Sequence, residues 1–247
     1  MQGEYDKVLF TITLILVGLG ILMVYSASAI RAQEQFGDPS FFLKRQVVWA
    51  VMGLTILTWV MGQDYRRFER WALLLYLVSV LLLIVVLIPG VGTKINGARR
   101  WLRFSSLSFQ PAEFAKIGLM LCLSRLLARK GERIREFTDG LLPPFILAAV
   151  VVGLIALEPS YGTALMIFAT VGVLLFVAGT RVSHMVLMGV GLLPLLGFVL
   201  MQAPHVRGRV LAMMDPAQGS SRYLYQVTQS QVALGRGGSL GTGLGDG

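Results

Sequence analysis

Seven apolar stretches, each long enough to cross a lipid bilayer, constrain this chain more than any other feature of its sequence. A helix needs about 17–25 apolar residues to cross roughly 30 Å of hydrocarbon. The stretches cover residues 8–30, 46–62, 71–88, 111–128, 141–157, 161–178 and 183–201. We therefore predict an all-α integral membrane protein, a polytopic helix bundle whose transmembrane part is residues 1–201.

The composition excludes a soluble enzyme. Of the 247 residues, 55% are hydrophobic and only 14% are charged, whereas a soluble domain carries about 25% charged residues to wet its surface. The flank before the first apolar stretch contains Glu4 and Asp6, which is too acidic for a signal peptide, and no small-residue cleavage site follows. The first stretch is therefore predicted to be a retained span.

The few charges lean basic, with 22 Lys and Arg against 13 Asp and Glu. In a membrane protein this surplus indicates anionic lipid or an anionic substrate, and no nucleic acid partner is expected. The sole cysteine, Cys122, excludes a disulfide within the chain and a cysteine-cluster metal site. We predict no cofactor, with a divalent cation such as Mg²⁺ left open as an alternative.

Orientation does not follow from charge alone. Seven spans place the two ends of the chain on opposite sides of the membrane, and the basic residues then divide almost evenly between the two faces. The positive-inside rule is therefore close to a tie. Dense basic runs at residues 66–70 and 125–135, tight against span ends, favour a cytoplasmic N-terminus. A bound anionic ligand would account for the basic residues on the other face.

Eight short motifs, in order along the whole chain, carry a family resemblance. They are residues 24–28 (VYSAS), 42–46 (FLKRQ), 96–102 (NGARRWL), 109–116 (FQPAEFAK), 158–163 (EPSYGT), 225–230 (YQVTQS), 233–238 (ALGRGG) and 243–246 (GLGD). With these motifs the sequence resembles the SEDS family (shape, elongation, division and sporulation; FtsW, RodA and SpoVE). The Gly-Leu-Gly-Asp motif is most like the cell-division branch, the FtsW type.

The resemblance implies a membrane glycosyltransferase with ten spans, of which this chain has about seven. Such proteins polymerise lipid II, the undecaprenyl diphosphate-linked disaccharide-peptide, into peptidoglycan glycan strands at the outer face of the bacterial cytoplasmic membrane. The implied partners are a class B penicillin-binding protein and other division-complex membrane proteins. The family topology begins with a cytoplasmic N-terminus, and residues 202–247 correspond to the start of its long extracytoplasmic loop.

Polymerisation of a lipid diphosphate sugar needs cations that neutralise the diphosphate leaving group. Basic residues on the outer face suit this role, and their alternative is contact with anionic headgroups or snorkelling at span ends. Glu113 and Lys116 are spaced to pair on one helical face, where they either line the substrate cavity or latch two helices together. The predicted substrate-binding residues are Lys44, Arg45, Arg99, Arg100, Glu113, Lys116, Arg207, Arg209, Gln226, Gln229 and Ser230.

A base must also deprotonate the acceptor sugar hydroxyl. The family's catalytic aspartate lies in the long loop after span seven, a few residues beyond an Asn/Asp-Pro pair. Here Asp215 and Pro216 occupy that pair and Gly219 occupies the aspartate position. We therefore predict Asp215 as a displaced catalytic base, its alternative being a turn residue before proline. Ser160 is a second departure, since the family usually has aspartate there.

Two other functions fit the same sequence. A lipid II translocator needs a cavity but no catalytic acid, so it would tolerate the missing aspartate. A non-catalytic scaffold would only bind its penicillin-binding-protein partner. The family continues with three further spans, so this chain is expected to be a fragment, a truncated product or a decayed paralogue.

Overall fold

The structure, a computed structural model, describes residues 5–95, 98–104, 107–202, 221–238 and 241–243. Within these residues the chain is mostly α-helical, with one small sheet. The helices are α1 (Lys7–Phe36), α2 (Phe41–Met61), α3 (Tyr65–Leu87), α4 (Pro111–Lys130), α5 (Leu142–Leu157), α6 (Tyr161–Val177), α7 (Val182–Gln202) and α8 (Ser221–Gly237). The strands are β1 (Thr93–Ile95), β2 (Ala98–Phe104) and β3 (Leu107–Phe109).

Each of the seven predicted spans falls on a helix. Among the described residues, four helices are long and apolar enough to cross a membrane: α1, α2, α3 and the segment Phe137–Leu157, which contains α5. These four helices confirm the all-α polytopic membrane fold. The spans predicted at α4, α6 and α7 remain predictions, since α6 and the apolar part of α7 are shorter and α4 carries five charged side chains.

Local capping, rather than hydropathy, determines where α1 begins and ends. The Asp6 carboxylate accepts hydrogen bonds from the backbone N–H groups of Val8 and Leu9, at 2.9 and 3.1 Å. Gly37 ends the helix in the left-handed conformation, with φ of 69°. Because residues 31–36 are mostly polar but helix-forming, α1 continues past the apolar stretch that predicted a span over 8–30.

The chain divides into two compact units, and the first contains Met1–Gln63 and Gly208–Gly247. In this unit α1 packs on α2, and the rings of Phe36 and Phe41 stack with centroids 4.0 Å apart. Ala32 is the buried residue of α1, and α2 has none. The exposed apolar surface is what helices facing lipid present. Helix α8 also belongs to this unit, in a stretch that the sequence predicted as loop.

The second unit, Asp64–Arg207, holds the main core. Helices α3 and α4 pack closely because Gly118 has no side chain: a Cβ there would lie 2.9 Å from the Leu75 carbonyl oxygen and 3.1 Å from Ser79 Oγ. The Tyr76 hydroxyl donates to the Leu147 carbonyl at 3.1 Å, which links α3 to α5. The buried core includes Leu83, Leu119, Leu123, Leu127, Val151, Ile155, Ile167, Val171 and Leu175.

Contacts at the two ends of this unit show that its helices run alternately up and down. At one end Arg129, near the end of α4, pairs with Glu69, near the start of α3, at 3.2 Å. The rings of Phe137 and His184 meet edge to face, with centroids 5.5 Å apart, where the α4–α5 and α6–α7 connections adjoin. At the other end Arg100, in the α3–α4 connection, contacts the turn between α5 and α6.

The α3–α4 connection, a basic segment without predicted structure, forms a three-stranded antiparallel sheet in the order β1-β2-β3. Thr93 pairs with Trp101, and Leu102 pairs with Phe109. Strand β2 packs against α3 and α4, and Leu102 is buried beneath it. The sheet is therefore attached to one end of the second unit.

Candidate functional site

Arg100 on β2 joins the sheet to the turn between α5 and α6. Arg100 is the extra residue of a β-bulge, because Thr93 pairs with Trp101 and Lys94 pairs with Arg99. The Arg100 guanidinium donates from Nε to the Glu158 carbonyl at 3.0 Å and from Nη2 to the Pro159 carbonyl. A residue predicted to bind substrate therefore also tethers two connections of the second unit.

Glu158, directly after α5, is the buried acid of this turn. Its side chain has no exposed surface, and neither carboxylate oxygen has a hydrogen-bond partner among the described residues. Burial raises the pKa of the Glu158 carboxyl from 4.5 to about 7, and the nearby Arg100 guanidinium opposes part of that rise. The carboxyl can therefore exchange a proton near neutral pH.

Ser160 is the last residue of the connection between α5 and α6. Ser160 is 5% exposed and occupies the N-cap position of α6, but its side chain makes no capping hydrogen bond. The resemblance expects an aspartate at this position. In this chain the acid of the turn is instead Glu158, two residues earlier.

Arg99 precedes Arg100 on β2 and pairs with Lys94 across the sheet. Its side chain is half-buried. The two adjacent arginines, predicted for one role, therefore have different surroundings. Arg100 is the unpaired residue of the bulge and is held by the α5–α6 turn, whereas Arg99 has a partner residue in the sheet.

Glu113 and Lys116 form the ion pair that their spacing predicts. Lys116 Nζ lies 2.6 Å from Glu113 Oε2. Glu113 is in the first turn of α4, where a negative charge is favoured by the helix dipole. The lysine side chain is 27% exposed and the glutamate side chain 58%, so the pair is accessible near the end of α4 that adjoins the sheet.

In the first unit, Lys44 has a carboxylate partner that the sequence did not predict. Its Nζ lies 2.7 Å from Asp38 Oδ2, and the Ser40 backbone N–H donates to Asp38 Oδ1 at 2.9 Å. The hydrogen bond from Lys44, helped by that of Ser40, lowers the pKa of the Asp38 carboxyl below its usual 3.8. Arg45, the next residue of α2, is exposed.

The remaining predicted residues lie on α8 or outside the described residues. Gln226, Gln229 and Ser230 are on α8, where Gln229 and Ser230 are exposed. Asp215, Arg207 and Arg209 fall in residues 203–220, outside the described part, so the predicted base has no geometry here. In the described ranges no three His, Cys, Asp or Glu side chains form a group that could hold a metal ion.

Neither Glu158 nor Asp38 is among the site residues predicted from the sequence. A signal for Glu158 was present, since an acid directly after an apolar stretch of this length is costly in a membrane unless it is paired, protonated or functional. The structure brings Arg100 to Glu158 and Glu113 to Lys116, and it places Lys44, Arg45, Gln229 and Ser230 in the other unit.

Among relatives, the probable peptidoglycan glycosyltransferase FtsW of Trichlorobacter lovleyi is 38% identical over 99% of this chain and 64% of its own length. Stage V sporulation protein E of Bacillus subtilis is 37% identical over 97% of this chain and 66% of its own length. The chain therefore spans slightly less than two thirds of the length of these curated relatives.

Two solved structures have the same fold. One comes from work on the structural coordination of polymerization and crosslinking by a peptidoglycan synthase complex, with a TM-score of 0.69 and 33% identity over 96% of this chain and 67% of that chain. The other is the rod shape determining protein RodA of Thermus thermophilus, with a TM-score of 0.54 and 27% identity over 98% of this chain and 88% of that chain. The family model described as "Cell cycle protein", which groups FtsW, RodA and SpoVE, matches residues 6–247. This chain therefore belongs to the FtsW, RodA and SpoVE family of cell cycle proteins.

Proposed function

We propose that this protein polymerises lipid II into peptidoglycan glycan strands during cell division. The observation that carries this proposal is the family match over residues 6–247 together with relatives named as probable peptidoglycan glycosyltransferases FtsW. The motif residues that the resemblance singles out, Arg99 and Arg100, lie on a strand at one end of a membrane helix bundle. That is where a lipid-linked diphosphate would present its charge.

The second unit supports a cytoplasmic N-terminus. Its sheet end carries Lys94, Arg99, Arg100 and Arg103, whereas the opposite end carries the basic runs at residues 66–70 and 125–135 together with Arg181. Within this unit the positive-inside rule therefore favours an orientation with the basic runs in the cytoplasm and the sheet outside. Because α3 then begins in the cytoplasm, α1 also begins there.

The residues divide the chemistry between them. A guanidinium has five N–H donors, and Arg100 uses two donors on the turn, so the others can meet the leaving diphosphate. Arg99 and Lys116 supply further positive charge, which stabilises the negative charge that develops as the glycosidic bond to phosphate breaks. Asp215 is proposed as the base that takes the proton of the acceptor hydroxyl. We propose no resident cofactor. The alternative is a divalent cation such as Mg²⁺, which would help to neutralise the diphosphate.

The proposed partner is a class B penicillin-binding protein, which would crosslink the strands in the bacterial cytoplasmic membrane. One similar solved structure comes from a complex that coordinates polymerization and crosslinking. Co-purification of the full-length protein with such a partner tests this association independently of activity. Co-purification without any strand formation would favour the scaffold function.

The test of the activity is a lipid II polymerisation assay on the purified full-length protein, with Asp215→Ala and Asp215→Asn as paired variants. We expect glycan strands from the wild type and a loss of at least about 100-fold in both variants, since general-base catalysis contributes about 10²–10⁴-fold. Unchanged strand formation in Asp215→Ala would exclude Asp215 as the base. A wild type without strands that still moves lipid II across vesicles would favour the translocator.

A further inference from the structure

The Glu158 carboxyl is a buried titratable group that the proposed chemistry does not yet use. Its side chain has no exposed surface, and both oxygens lack a hydrogen-bond partner within the described residues. Burying a carboxylate is costly unless a cation or hydrogen-bond donors compensate it, so an isolated buried carboxyl keeps its proton. Burial therefore stabilises the neutral form of the Glu158 carboxyl, and a nearby cation would stabilise its ionised form.

The charged groups around Glu158 single out one partner. Helices α5 and α6 carry no charged side chain, and Tyr161 is the titratable group of α6. On α4, Glu113 and Lys116 pair with each other. On β2, Arg99 is half-buried and Arg103 is exposed. Arg100 is the residue whose positive charge acts on the Glu158 carboxyl, and it already donates to the Glu158 and Pro159 carbonyls.

We propose that Glu158 is a positioning residue for Arg100. While the carboxyl is protonated, the guanidinium stays on the two backbone carbonyls and presents its free donors to a diphosphate ligand. When the carboxyl ionises and releases its proton to solvent, the carboxylate attracts the guanidinium and competes with the ligand for those donors. This inference rests on the proposed function only for the identity of the ligand, a lipid-linked diphosphate.

The expected consequence is a pH dependence of diphosphate binding. Because burial raises the pKa of the Glu158 carboxyl to about 7, both protonation states are populated near neutral pH. Binding should be strongest below pH 7, where the carboxyl is neutral, and should weaken as pH rises through 7. Glu158→Gln keeps the shape and the neutral charge, so this variant should bind at high pH as the wild type does at low pH.

The experiment measures the affinity of the full-length protein for undecaprenyl diphosphate between pH 6 and pH 8.5. Phosphatidylcholine nanodiscs avoid competition from anionic headgroups, and the ligand's own phosphate ionisation is common to every variant. We expect the wild type to lose several-fold more affinity than Glu158→Gln across this range. Glu69→Gln, which alters the acid paired with Arg129 at the other end of the unit, is the matched control and should follow the wild type.

Equal pH profiles for the wild type and Glu158→Gln would overturn the inference. If Glu158→Gln does not fold, Arg100→Ala provides the second test. It should bind more weakly at every pH and lose the extra pH dependence, and retention of that dependence would also overturn the inference. Binding without polymerisation would contradict the proposed activity and leave the inference about Glu158 standing, so the two failures are distinguishable.

Discussion

Two acids of this protein, one in each unit, lie at turns between helices with a basic residue beside them, yet their pKa values move in opposite directions. Asp38 is partly exposed and receives hydrogen bonds at the carboxylate from Lys44 and Ser40, so its pKa is lowered. Glu158 is fully buried, and its basic neighbour Arg100 donates to backbone carbonyls instead. Its pKa is therefore raised.

The difference shows that a nearby cation is not enough to stabilise an anion. The location of the donated hydrogen bonds and the access to water decide the outcome. An exposed pair such as Asp38 and Lys44 is worth little to stability. A buried acid without donors keeps its proton to a higher pH, so it can change protonation state near neutral pH. For this reason we assign a functional role to Glu158 and not to Asp38.

The largest effect is expected from Arg100→Ala compared with Lys44→Ala, measured as glycan-strand formation by the full-length protein. Arg100→Ala removes a cation from the diphosphate and also the tether between the sheet and the α5–α6 turn. Loss of one preorganised donor at a reacting anion costs about 10²–10³-fold in rate, and we expect a loss of this order. Lys44→Ala should cost far less, because Lys44 is exposed and paired. Equal losses would contradict the comparison.

The next effect concerns stability. The pKa of Glu158 in the folded protein, about 7, is above the 4.5 of the free side chain. The wild type should therefore lose stability as pH rises from 4.5 through 7, by up to about 3 kcal/mol. Glu158→Gln should not show this loss, so its thermal unfolding midpoint at pH 8 should exceed that of the wild type. Parallel curves for the two proteins between pH 5 and pH 8 would refute the assignment.

A smaller effect is expected at the partly exposed pair of Glu113 and Lys116. A double-mutant cycle with Glu113→Gln and Lys116→Gln should give a coupling of about 0.2–1 kcal/mol in unfolding free energy, as exposed ion pairs do. If the pair contacts the substrate, glycan-strand formation by Lys116→Gln should fall by more than the loss of this coupling explains. A rate loss no larger than the stability loss would assign the pair to a structural role.

The smallest effect is expected from Asp38→Asn. Because the pKa of Asp38 is lowered in the folded protein, its contribution to stability is present above about pH 4 and is lost as pH falls through the lowered value. The variant should be slightly less stable than the wild type at neutral pH, because an exposed pair contributes little. This difference in the unfolding midpoint should disappear as pH falls through the lowered pKa, where the wild-type carboxyl is protonated as well. A clear loss at pH 7 would show that this exposed pair matters more than its geometry indicates.

The helices were predictable from the sequence, because crossing a bilayer requires long apolar stretches. Their ends were less so, since Asp6 and Gly37 set the limits of α1 through hydrogen bonds that hydropathy does not register. The sheet was missed because its strands are short and lie in a basic segment. Helix α8 was missed in a stretch rich in polar residues and glycine.

The candidate site was predictable only in part. Arg100 was identified from its motif, and the pairing of Glu113 with Lys116 from their spacing. The burial of Glu158 was not predictable, because it depends on how β2 and the α5–α6 turn meet across 58 residues of sequence. The neighbour that gives this acid its properties is distant in the chain, and one sequence does not reveal such a contact.

The most direct test of this account is an infrared titration of the Glu158 carboxyl. The C=O stretching band of a protonated carboxyl, assigned by its absence in Glu158→Gln, should be present at pH 6 and should disappear with a midpoint near pH 7. A band that disappears near pH 4.5, the value for a solvated side chain, would show that the acid is not held neutral at the turn. That result would contradict the role proposed here for Glu158 and Arg100.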